Sequence, residues 1–136
     1  YCDVGSVDQF SLAGLEAAIH RLGDTNRLHD LAAAREQVSR LRETLSRDRR
    51  VTFFGAAEEG GRLPTIAFAI DGETSGQSAE RLRQHGLIVG SGLQCSPLSH
   101  EAMGTSETGL VRISVGVRQP ENEIAIANER LKKLGE

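Results

Sequence analysis

The stretch VGSGLQCSPLSHEAMGTSETGLVRISVG, residues 89–116, carries most of the information about fold and chemistry. Its last part, Leu110 to Val115, alternates: Val111, Ile113 and Val115 fall on one face of a strand, Arg112 and Ser114 on the other. Its first part holds a cysteine in a turn of small residues, Gly92-Leu93-Gln94-Cys95-Ser96-Pro97. Between them, Ser99 to Met103 predicts a helical turn and residues 104–109 a connection. Leu87 to Val89 predicts a brief strand that feeds the cysteine loop.

Outward from this stretch, the patterns extend the same architecture. Val51 to Phe54 and Leu63 to Ile70 read as strands, with Pro64 near a strand start, where a missing N–H is tolerable. Asp71-Gly72 turns the chain into a helix from Ser75 to His85, and Gly86 stands where a helix stop belongs. Pro120 opens a last helix at its favoured first position, with Ile124, Ala127 (or Asn128), Leu131 and Leu134 along one face. At the other end, Ser11 is the expected cap of a helix to Leu22, with Leu12, Leu15, Ile19 and Leu22 three and four apart. Gly23 stops it. Asp24 or Thr25 then caps a longer helix to about Ser46, whose buried stripe is Leu28, Leu31, Val38, Leu41 and Leu45. Arg35, Arg40, Arg42 and Arg47, interleaved with Glu36, Glu43 and Asp48, read as a solvated face. The order predicts an α+β fold: a small, largely antiparallel sheet packed by helices and preceded by two helices. Residues 1–50 form helical connector and support elements, and residues 51–136 the sheet-bearing small domain.

A chain of 136 residues, 38% hydrophobic and 26% charged, is long enough to bury a core of its own. With no Trp, one Tyr and four Phe, that core must be aliphatic. A net charge of −3 with no basic-aromatic interleaving argues against nucleic acid as a partner. No apolar run approaches the ~20 residues of a membrane span, and no signal peptide stands out. Cys2 and Cys95 are too few for a disulfide framework, so reduced thiols and a cytoplasmic location are expected. His20, His29, His85 and His100 are scattered, with no metal-ligand spacing. The chain opens at Tyr1 in a loop-like phrase without a methionine, so a fragment or a processed piece is expected.

Cys95 and Arg112 are the candidate functional pair. A free cysteine is often an inert, buried side chain, but Gly90, Ser91, Gly92, Ser96 and Pro97 describe an exposed turn. A thiol there can reach a substrate, and a positive neighbour would favour the reactive thiolate. Arg112 is either a solvent-facing strand residue or a bidentate clamp for a carboxylate or phosphate. His100, five residues past Cys95, is the only histidine near this chemistry in sequence; His20, His29 and His85 read as surface helix residues. Lys132 and Lys133 are the only lysines, both in the last helix.

Taken in order, several phrases resemble the C-terminal part of class V pyridoxal-phosphate enzymes, nearest to cysteine desulfurases and selenocysteine lyases. Gly5-Ser6-Val7-Asp8 and Leu12-Ala13-Gly14-Leu15 are similar to that family's Gly-Thr-x-Asn phrase and the helix start after it. Arg62 to Phe68 resembles its R-x-P-hydrophobic-Phe strand. Gly92 to His100 resembles its G-x-H-C-A-P-L-x-H loop, Val111 to Ser114 its VRIS strand, and Glu121 to Ile124 the opening of its last helix. The resemblance implies that Cys95 attacks the substrate sulfur and becomes a persulfide. It implies that Arg112 binds the α-carboxylate of an amino-acid substrate, and that Ser6 reaches the cofactor phosphate of a partner subunit in a homodimer. A sulfur-acceptor protein is a further implied partner. The family's N-terminal cofactor domain, with its Schiff-base lysine, is not matched, so this chain by itself is expected to be inactive.

Two of the departures from the family's phrases lie just before the cysteine. Gly90 stands where near relatives often carry arginine, and Gln94 where they carry histidine; Ser6, Asp8, Gln119 and Pro120 replace Thr, Asn, Asn and Thr. A class V lyase or aminotransferase without desulfurase activity is therefore an alternative. So is a non-catalytic dimerisation or partner-binding domain, and so is a thiol-based sulfur carrier.

Overall fold

The computed structural model describes residues 8–23, 27–55 and 63–135. Helix α1 spans Gln9–Leu22 and α2 Arg27–Leu45; β1 is Val51–Phe54 and β2 Thr65–Ile70. Then follow α3 (Ser75–Gln84), α4 (Pro97–Met103), β3 (Val111–Ser114), α5 (Glu121–Lys132) and a final 3₁₀ turn, Lys133–Gly135. The fold is α+β, as the alternation and helical spacing predict.

The sheet has the order β1-β2-β3 and is antiparallel throughout, with Val51 opposite Ile70 and Phe68 opposite Val111. On β2, Ile66, Phe68 and Ile70 are buried, while Thr65, Ala67 and Ala69 on the other face are half-buried. The buried face is covered by Ala34, Val38, Leu41 and Leu45 of α2, Leu82 of α3, and Ile124 and Leu131 of α5. The helices therefore form one layer and the sheet the other. Phe68, Leu41 and Leu82 are the largest fully buried side chains, each worth about 1.5–3 kcal/mol in removed apolar surface. Arg112 belongs to the face away from this layer, opposite Ala67 in β2, with Phe54 opposite Ala67 on its other side.

Several sequence expectations need correction. The cap of α1 is Asp8 rather than Ser11: its carboxylate accepts from the amides of Phe10 and Ser11 and from the Ser11 hydroxyl, at 3.1, 3.1 and 2.6 Å. A carboxylate satisfies more of the orphaned first-turn donors than a hydroxyl inside that turn could. The apolar face of α1 exists but is bare, with Phe10 92% and Ile19 57% exposed and no residue of the helix buried. The arginines of α2 are not simply solvated. Arg42 lies over the Phe53 ring at 4.1 Å, and Phe53 packs against Phe68 at 6.4 Å between centroids. Arg40 pairs with Glu121 of α5, whose carboxylate also accepts from Gln37 at 3.1 Å. The caps expected at Asp24 or Thr25, and the side chain of Leu28, lie outside the described residues.

The turns are set by local chemistry. Thr74 and Gln77 form a reciprocal capping box at the start of α3, and Gly86 ends it at φ +79°. Pro120 precedes α5 rather than occupying its first turn. Arg118, at φ +69°, turns the chain after β3 and donates to Asp30 of α2 at 2.6 Å.

Candidate active site

The cysteine loop is built onto the outer edge of β3. The strand expected at Leu87–Val89 does not form: Leu87 and Val89 pack against the core, and Ile88 between them is 94% exposed. Pairing starts one residue later. Gly90 and Arg112 exchange both backbone hydrogen bonds, at 3.0 and 2.8 Å, and the Leu110 amide donates to the Gly92 carbonyl at 3.2 Å. This ties the stretch leading to Cys95 alongside the residue bearing the guanidinium.

Three further anchors hold the loop. Ser75, buried at the first position of α3, accepts from the Gly92 amide at 3.1 Å, while its own amide donates to the Thr108 carbonyl at 2.8 Å. Gly109 packs its backbone against Gly92 so closely that a Cβ there would lie 2.8 Å from the Gly92 Cα and 2.5 Å from Ser75 Oγ. Gln94 donates through Nε2 to the Leu110 carbonyl at 3.2 Å. Neither Ser75, Gly109 nor Gln94 carries a sequence signal for this role beyond the small-residue character of the two glycines.

Cys95 itself is exposed, and both it and Gln94 are left-handed, at φ +61° and +49°. Two consecutive non-glycine residues in that region are strained by roughly 1–2 kcal/mol each. The anchors on either side keep them there, and the result is a thiol held out from the loop. Downstream, Pro97 begins α4 two residues before the expected start at Ser99, and Gly104 ends it at φ +68°.

His100 is turned inward, away from the exposed Cys95. It is buried, its Nδ1 2.8 Å from Thr105 Oγ1, and the Thr105 amide returns to the His100 carbonyl at 2.8 Å. This clasp folds residues 100–109 back so that Thr108 and Gly109 reach Ser75 and Gly92. Its role is to shape the loop. The Arg112 side chain, by contrast, has no hydrogen-bonding or ionic partner among the described residues, and it is exposed. Ser6 lies outside the described residues. No helix among them is long and apolar enough to cross a membrane, and no group of three or more His, Cys, Asp or Glu could hold a metal ion.

The family model for Aminotransferase class-V matches residues 2–126. The chain belongs to the class-V aminotransferase family. Solved structures share the fold of this class-V chain. A cysteine desulfurase from Thermococcus onnurineus NA1, in its apo form, superposes with a TM-score of 0.79 at 22% identity, over 97% of this chain and 32% of that one. An Escherichia coli cysteine desulfurase in an S-sulfonic acid form gives 0.78 at 16% identity, over 96% and 31%. The class-V chain thus spans about a third of the length of these structures. Comparison with curated proteins gives no match.

Within the class-V chain, the residues that could serve a cofactor's chemistry are limited. Lys132 and Lys133 end the α5 segment in the helical layer, and Lys132 is paired with Glu129 at 2.5 Å. Arg112 belongs to the opposite face of the sheet. Neither lysine is on the cysteine loop or on β3, so the residues around Cys95 do not themselves offer a lysine to anchor pyridoxal phosphate.

Proposed function

We propose that this chain is the C-terminal portion of a pyridoxal-phosphate-dependent, cysteine desulfurase-like enzyme, in which Cys95 is the nucleophile and Arg112 the carboxylate clamp. The observation behind the reading is the paired Gly90–Arg112 backbone, which runs the stretch leading to Cys95 alongside Arg112, whose exposed side chain has no partner among the described residues. A bidentate guanidinium fixes one end of an α-amino acid by its carboxylate, and a loop thiol held alongside meets the sulfur of its side chain. Cys95 as thiolate attacks that sulfur: an S–S bond forms, the substrate's C–S bond breaks, and its electron pair stays on the carbon side. The thiol's proton passes to solvent. Pyridoxal phosphate, held by other parts of the enzyme, supplies the electron sink that such a cleavage requires.

The remaining parts of the proposal rest on the sequence resemblance and, for location, on the low cysteine count. Ser6 is the residue assigned to the cofactor phosphate across a homodimer, the enzyme is cytoplasmic, and the persulfide sulfur passes to an acceptor protein. Gly90 and Gln94, which replace the family's arginine and histidine beside the cysteine, favour a second reading, a class V lyase or aminotransferase that forms no persulfide. The two are separated by assaying the full-length protein, supplied with pyridoxal phosphate, for sulfide and alanine from L-cysteine. The first reading expects release that Cys95→Ala abolishes; turnover indifferent to Cys95→Ala supports the second.

A further inference from the structure

Gln94 carries an unspent hydrogen-bond acceptor. Its Nε2 donates to the Leu110 carbonyl, which fixes the orientation of the amide, because the reverse would set two oxygens against each other. The other atom of that amide, Oε1, is buried and accepts no hydrogen bond among the described residues. An acceptor left in that state is destabilising, so a donor is to be sought nearby.

Gly90 shows where that donor would stand. A carbon built at its missing side-chain position lies 3.4 Å from Gln94 Oε1, 3.6 Å from the Arg112 carbonyl oxygen and 3.7 Å from Arg112 Cβ. The space over Gly90 therefore lies between the orphaned acceptor and the root of a side chain that has no partner among the described residues. Arg112 Nε, three bonds beyond Cβ, comes to that space when the side chain folds back over the glycine. From there a shift of about half an ångström brings an N–H to ~2.9 Å from Oε1.

We infer that Gln94 is a positioning residue for Arg112: Oε1 accepts an N–H of the guanidinium over Gly90 and holds its remaining donors toward the Cys95 loop. A neutral amide suits this task, since it orients the guanidinium without consuming the charge meant for a ligand's carboxylate. Gly90 is the second half of the device, because any side chain there occupies the space that Arg112 must enter. The inference rests on the reading of Arg112 as a carboxylate clamp beside Cys95.

The test is alkylation of Cys95 in the full-length protein, followed by peptide mass analysis, with iodoacetate and iodoacetamide compared as a ratio of rates. In both reactions an S–C bond forms, the C–I bond breaks, iodide leaves with its electron pair and the thiol's proton goes to solvent; only iodoacetate offers a carboxylate. Arg112→Ala is expected to lower the ratio about tenfold, the loss of a charge-assisted hydrogen bond. Gln94→Met keeps the shape and removes the acceptor along with the Nε2 donor to Leu110, a loosening of the loop that both reagents share. It is expected to lower the ratio several-fold in the native background and not at all when combined with Arg112→Ala. Gly90→Ala, whose added carbon meets nothing nearer than 3.4 Å, is expected to fold and to reproduce the effect of Gln94→Met. If Arg112→Ala leaves the ratio unchanged, the clamp reading fails and takes the inference with it. If Arg112→Ala lowers it but Gly90→Ala does not, or Gln94→Met lowers it equally in both backgrounds, the inference alone is overturned.

Discussion

The amide of Gly92 donates to the hydroxyl of Ser75 at 3.1 Å, joining the cysteine loop to the first residue of α3. The loop is thereby fixed to a helix that contributes Leu82 to the core, and its placement inherits the rigidity of the helical layer. Ser75→Ala removes the acceptor and leaves the Gly92 amide without it. The expected cost is about 1–2 kcal/mol, with faster amide exchange at Gly92 than in the parent chain. Unchanged exchange at Gly92 would mean that the loop is held by its β3 pairing alone.

Two left-handed glycines separate backbone strain from steric contact. A Cβ at Gly104 meets nothing within 4 Å, whereas at Gly109 it collides with Ser75 and Gly92; φ is +68° at one and +66° at the other. Gly104→Ala should cost roughly 1–2 kcal/mol, the strain of the conformation. Gly109→Ala should cost a further 1–3 kcal/mol for forced displacement of packed atoms. Denaturant midpoints measure both, and equal costs would contradict the close packing of Gly109 on Gly92.

The first and second helices should respond oppositely to truncation. Leu15 is 56% exposed and Leu41 2%. In this chain Leu15→Ala is expected to change stability by less than about 0.5 kcal/mol, and Leu41→Ala to cost about 2–5 kcal/mol. A large effect at Leu15 would show that α1 is packed against something.

The contact between α2 and α5 sets an acid limit. Hydrogen bonds from Arg40 and then Gln37 hold the Glu121 carboxyl below its ordinary range, and Arg50 does the same for Asp48. A carboxylate whose folded pKa is depressed contributes stability above its unfolded pKa and loses it as pH falls through the folded value. Stability should therefore decline below about pH 4, and Glu121→Gln should flatten that decline while lowering stability near neutral pH. An unaltered acid limb in Glu121→Gln would show that the Arg40 pair is too solvent-screened to matter.

Much of the fold was legible because period and burial agree. On β2 the alternation of Ile66, Phe68 and Ile70 with smaller residues is the alternation of the two sheet faces, and Val38, Leu41 and Leu45 repeat at the helical period of the face they bury. The sequence singled out Cys95 and Arg112 as candidates, but not the contacts that position the loop and strand carrying them. Ser75 and Gly109 meet Gly92 across 17 residues on either side, a relationship no local pattern encodes. His100 stood near Cys95 in sequence, yet a hydrogen bond to Thr105 takes it inward. The Leu87–Val89 segment has the composition of a strand, but its two inward residues are used by the core and the pairing falls to Gly90. Asp8 outcompeted Ser11 as a cap because a carboxylate outside the first turn can accept from several of its donors.

The proposal that Cys95 and Arg112 form one site for sulfur transfer is tested most directly by mass analysis of the Cys95 peptide. The full-length protein, supplied with pyridoxal phosphate, is exposed to L-cysteine without reductant. The expected result is a gain of one sulfur atom on Cys95, reversed by dithiothreitol and, at limiting substrate, lost in Arg112→Ala. Release of alanine and sulfide with Cys95 unmodified, and at an undiminished rate in Cys95→Ala, would contradict the account.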